Sequence, residues 1–121
     1  MNASANRHPA DPARTAISRA LDDMRVQFCA GLDARICRIE AARIALDADP
    51  AAALETVGFE AHRICGVAGS LGLHDLSTQA RALEEHVTTA AGQDLSQSER
   101  TGLNERIELF LDLMEYHLTE N

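Results

Sequence analysis

The sequence predicts an all-α domain: an antiparallel four-helix bundle with an additional short N-terminal helix. Three observations predict it. Ala and Leu are abundant, Pro is scarce and β-branched runs are absent, a balance that favours helix over strand. Apolar residues recur at spacings of three and four in four separate stretches, which is the period of a helix with one buried face. The connections between those stretches are short, so successive helices run antiparallel and cover one another's stripes. The length of 121 residues suits one domain. Residues 1–10 are polar and aperiodic and read as an N-terminal arm, leaving 11–121 as the bundle.

Asp11-Pro12 starts the first helix, with Asp at the N-cap and Pro at the first helical position. Ile17, Leu21, Met24, Phe28, Leu32, Ile36 and Ile39 then form one long stripe that ends near Asp47. A break before Met24 would divide off the short N-terminal helix. Asp49-Pro50 repeats the start signal, and Leu54, Val57, Ala61, Ile64, Ala68 and Leu71 make a narrow stripe that closes at Gly72. Beyond the connection Leu73-His74-Asp75, a third stripe follows at Leu76, Ala80, Leu83 and Val87, ending near Ala91-Gly92. Ser96 and Glu99 have the spacing of a capping box. They open the last helix, whose apolar face is Leu103, Ile107, Phe110, Met114 and Leu118.

Charge removes several functions. The formal net charge is −8 and the pI about 5.0, whereas nucleic-acid phosphates need a basic surface; a purely electrostatic membrane partner is not expected on the same ground. No apolar run is long enough to span a bilayer, and the first residues hold no apolar signal core. Cys29, Cys37 and Cys65 are an odd number with no CxxC pair, which suits reduced thiols and a cytoplasmic setting. His62 and Cys65 are three apart, but two ligands do not make a metal site, so no metal is expected.

One helix carries an anomaly. GFEAHRICGVAGSLG, residues 58–72, keeps a helical period while holding four glycines and one histidine. On a wheel of about 100° per residue, Gly58 and Gly66 lie about 40° either side of His62 and Gly69 about 20° away. The apolar stripe centres roughly 130° round from it. Each interior glycine costs about 0.5–1 kcal/mol against Ala. Close helix packing offsets such a cost, and so does clearance of the imidazole for a large partner. Since these glycines line the histidine rather than the stripe, clearance is the expectation, with Gly72 set apart as a helix stop. Imidazole titrates near neutrality, so a nucleophilic neutral form is available at cellular pH. Phosphoryl transfer asks chiefly for positioning and charge neutralisation. Arg63 is the adjacent cation.

AHRICGVAGSLGL (61–73), followed by ALEEHV (82–87), resembles the histidine-containing phosphotransfer (HPt) domains of bacterial multistep phosphorelays. The likeness runs loosely over residues 17–118 in helix order and is specific within 61–84. His62 matches the phosphoacceptor, Gly66 the glycine four residues on, and Leu71-Gly72 the closing pair. Glu84 matches a position that is commonly Glu or Gln and lies near the histidine. One position departs: Cys65 stands where the family often has Lys, so the cation beside the phosphoryl group is missing, and Arg63 is the candidate substitute.

The resemblance implies a phosphocarrier. A response-regulator receiver would bring its phospho-Asp and Mg²⁺, His62 would take the phosphoryl group, and a second receiver would accept it. A sensor or hybrid histidine kinase would start the relay, because the chain has no nucleotide-binding signature and no cofactor of its own. The expected docking face is Gly58, Phe59, His62, Gly66 and Gly69, with Phe59 as either an exposed contact or a flank of the core. The domain is expected to be a monomer. The competing reading is an HPt-like module that binds a receiver or other signalling protein without being phosphorylated, and a metal-binding bundle stands third.

Overall fold

The computed structural model describes residues 11–120, so the arm expected over 1–10 lies outside the described residues. The described chain forms four helices: α1 Pro12–Ile44, α2 Pro50–Ser70, α3 His74–Ala90 and α4 Gln97–Glu120. Each packs on its neighbours around a square, and the diagonals α1–α3 and α2–α4 do not meet. The most extensive contact is between α2 and α3. No strand is present among the described residues.

Local chemistry explains the boundaries. Asp11 caps α1 through a bond from Arg14 N to Oδ1 (3.2 Å), and Asp49 caps α2 through one from Ala52 N (3.3 Å). In both helices proline fills the first position, where a missing N–H costs nothing. Gly72 ends α2 at φ +78°, a conformation that favours glycine, while Leu73 N bonds back to Ala68 O at 2.9 Å. The capping box of α4 closes in both directions: Glu99 N donates to Ser96 Oγ (3.1 Å) and Ser96 N donates to Glu99 Oε1 (2.8 Å).

Two expectations about the elements change. The first stripe does not break before Met24, because Pro12–Ile44 is one uninterrupted helix of 33 residues. No residue within 12–44 removes a helical bond or forces a kink, and Pro12 stands at the start. Helix α3 begins at His74 rather than after Asp75, so both residues belong to its first turn.

The core draws on all four helices. Leu32 and Ile39 of α1, Val57 and Ile64 of α2, Leu76 and Val87 of α3, and Ile107 and Met114 of α4 are fully buried. The stripes read for α2 and α3 are buried throughout. The stripe of α1 is not: Ile17 is 62% exposed and Met24 52%, and no described residue before Cys29 is buried.

Two polar braces tie the helices together. Glu60, only 3% exposed, accepts from Arg35 Nη1 and Arg38 Nε, each at 2.8 Å, and so clamps α2 to α1. His117, also buried, has Nε2 within 3.1 Å of both carboxylate oxygens of Asp75, joining the end of α4 to the start of α3. The sequence places His117 merely near the favourable end of a helix dipole.

Candidate functional site

Helix α2 turns His62 outward because its opposite face, from Val57 through Ile64 to Ala68, is locked in the core. The imidazole side chain is 74% exposed. Its Nδ1 lies 2.9 Å from Glu84 Oε2 on α3. A carboxylate only accepts, so this pair puts the ring proton on Nδ1 and leaves the lone pair on Nε2. Glu84 therefore selects the tautomer and aims Nε2 at solvent.

The glycines beside the histidine divide into two kinds. A Cβ added at Gly66 would meet nothing within 4 Å. One at Gly58 would sit 3.3 Å from Val87 Cγ2, and one at Gly69 would sit 3.1 Å from Ser77 Oγ. Gly58 and Gly69 thus let α3 approach α2 closely, which corrects the expectation that all three serve clearance. The wheel could not reveal this, because α3 packs onto the very flank that the histidine occupies. That close approach also brings Glu84 within reach of His62.

Cys65 belongs to the same seam. Its carbonyl accepts from Ser77 Oγ at 2.9 Å, and its Sγ lies 3.6 Å from that oxygen. The thiol is thus turned between α2 and α3. Arg63 lies on the other side of His62, its guanidinium carbon 5.7 Å from the centre of the Phe59 ring, a cation–π arrangement that keeps the cation on the solvent face. Phe59 itself is 58% exposed, so it does not flank the core.

An open groove of about 600 Å³ runs beside the histidine between α1 and α2. His62, Arg63, Gly66 and Val67 form one wall; Met24 and Phe28 form the other. The α1 wall was missed in the sequence, where both residues count as core. A signal was present, because a 33-residue α1 outruns a 21-residue α2, and part of its stripe has no partner.

Among the described residues no group of three or more His, Cys, Asp or Glu side chains could hold a metal ion. No helix among them is long and apolar enough to cross a membrane.

The described residues thus form a four-helix bundle that presents one oriented imidazole on an open helix face. The family model described as Hpt domain matches residues 23–115, and the chain belongs to that family. Domains of this family take part in histidine phosphotransfer in phosphorelays, where they interact with receiver domains and kinases. No curated protein and no solved structure gives a match.

Proposed function

We propose that His62 carries a phosphoryl group between receiver domains, taking it at Nε2 from the phospho-aspartate of one receiver and yielding it to the aspartate of another. The single observation that carries this reading is the His62–Glu84 pair. Nδ1 is held at 2.9 Å while the side chain stays 74% exposed, so the reactive nitrogen is both oriented and open. In the transfer, the Nε2 lone pair forms a bond to phosphorus as the acyl phosphate P–O bond breaks. The aspartate carboxylate leaves with that electron pair. The imidazole gains positive charge, which Glu84 stabilises through the Nδ1 proton.

Charge on the phosphoryl oxygens is met from two sides. Mg²⁺ belongs to the partner receiver, and Arg63, adjacent to His62 in the chain, replaces the lysine missing at Cys65. Arg63 leaves its place over Phe59 to do so, at a cost of roughly 0.5–1 kcal/mol for an exposed cation–π contact. Docking uses the groove wall at Gly66 and Val67, with Phe59 as an exposed apolar contact. Gly58 and Gly69 contribute indirectly, by holding α3 against α2. The chain supplies no nucleotide chemistry of its own; a sensor or hybrid kinase loads the first receiver. The relay operates in the cytoplasm.

A second reading keeps the docking and removes the transfer. It is favoured by Cys65, whose thiol faces Ser77 and offers a phosphoryl group no charge. One experiment separates the two: incubation with the host's phosphorylated receivers, followed by a search for acid-labile label and its assignment by phosphorus NMR. Label on Nε2 of the wild type, and none on His62→Gln, is the expected result. Receiver binding without label would leave the docking module as the function.

A further inference from the structure

We propose that the projecting N-terminal segment of α1, Pro12–Met24, is a self-association surface that pairs antiparallel with the same segment of a second copy of this chain. Both neighbours of α1 end before that segment begins. Arg25 Nε bonds Leu71 O, just past the end of α2, at 2.6 Å. Arg43 bonds Asn104 of α4 at 3.2 Å. Since antiparallel helices advance equally per residue, Glu120 then falls opposite about residue 27 of α1. Pro12–Met24 therefore runs past the bundle for about 20 Å.

That overhang is not polar all round. Ile17, Leu21 and Met24 follow at spacings of four and three, the seam of a two-stranded coiled coil, and the next position, Phe28, already packs on the core of its own bundle. A free helix of this length is marginal in water, and a partner along the seam supplies the missing contact.

The charges select the partner. Within Pro12–Met24 both basic residues, Arg14 and Arg19, come first, and both acidic residues, Asp22 and Asp23, come second. Antiparallel pairing centred between Ala20 and Leu21 sets Ile17 across from Met24 of the other copy and lays Arg19 along Asp22 and Asp23. Parallel pairing sets like against like. Asp22 also bonds Arg25, at 2.7 Å, so Asp23 carries the larger share of the complementarity. A seam this short buries less than the roughly 800 Å² per partner of a standard interface, so the dimer is reversible and depends on concentration.

Sedimentation equilibrium of the full chain, from about 5 μM to about 1 mM, tests this. The mass is expected to rise from 13.1 kDa toward twice that value. Ile17→Glu should move the midpoint at least about tenfold higher in concentration. Arg14→Glu/Arg19→Glu and Asp22→Arg/Asp23→Arg should each self-associate less than the wild type, and a mixture of the two should associate more tightly than either alone. All five positions are exposed, and circular dichroism checks that each variant is folded. A mass of 13.1 kDa at every concentration would overturn the proposal, whatever else covers the stripe. So would association indifferent to Ile17→Glu, or a mixture no tighter than its parts.

Discussion

His62 and Glu84 make the smallest unit whose chemistry can be tested. Glu84→Ala frees the ring to rotate and to lose its tautomer, and should slow transfer roughly 10- to 100-fold while receiver affinity stays unchanged. Glu84→Gln keeps an acceptor oxygen and should recover part of the rate. Single-turnover transfer alongside a direct binding measurement checks both, and equal loss of binding would mark Glu84 as a docking residue instead. Cys65→Lys restores a cation at the position where the family often has one. Transfer should be unchanged or faster, although the half-buried site and its contact with Ser77 lead us to expect a stability loss of about 1 kcal/mol. A marked slowing in a folded variant would show that no cation is wanted there. Of these positions, His62, Gly66 and Glu84 are legible in the sequence through their spacing. The direction of the Cys65 side chain is not, because Ser77, twelve residues away, decides it.

At the level of the helix, the glycines of α2 carry the sharpest contrast. Gly66→Ala gains helix propensity with no contact to disturb, and should stabilise the domain by about 0.5–1 kcal/mol. Gly69→Ala makes the same gain but presses on Ser77 Oγ, which is pinned by its bond to the Cys65 carbonyl, so it should fall short of Gly66→Ala in a urea titration. Gly66→Leu should keep the fold and impair receiver transfer, because its side chain would fill the groove beside the imidazole; normal transfer by this variant would remove the clearance argument for Gly66. The helix boundaries themselves were legible. Asp-Pro twice, the Ser96–Glu99 box and Gly72 are local signals whose physics lies within a few residues. The continuity of α1 was less so, since a stripe can be carried by one helix or two.

Across the whole molecule, Glu60 holds the sequence's least visible role. Burial alone would raise its carboxyl pKa, but hydrogen bonds from Arg38 and Arg35 outweigh burial and hold it below the ordinary carboxylate range. Asp75 behaves likewise: burial pushes it up, and His117 with the Leu76 N–H bring it below its usual value. A folded-state pKa below the unfolded one means that the unfolded chain binds protons first as pH falls. These carboxylates therefore stabilise the fold fully above about pH 5, the upper edge of their unfolded titration. That contribution is lost as pH falls through the lowered folded values. Urea midpoints measured from about pH 7 to 3 should decline toward acid, and Glu60→Gln should flatten the decline. That substitution should also cost roughly 3 kcal/mol at neutral pH, because it leaves two guanidinium groups without their shared anion. A midpoint independent of pH in the wild type would contradict the linkage.

The sequence by itself determined that the chain is helical, where three of its four helices begin, which faces of α2 and α3 are buried, and which histidine stands clear of them. Each of these follows from short-range physics: a cap, a proline, a period of 3.6, a residue with no side chain. Only the tertiary structure decided what faces what across helices. It gave Gly58 and Gly69 to the α2–α3 seam and Gly66 to the groove, bound Glu60 to two arginines 22 and 25 residues distant, and carried the first turns of α1 past the ends of α2 and α4. The reason is that a helical period reports only which residues share a face. The length and register of the neighbouring helices determine what covers that face, or whether anything does.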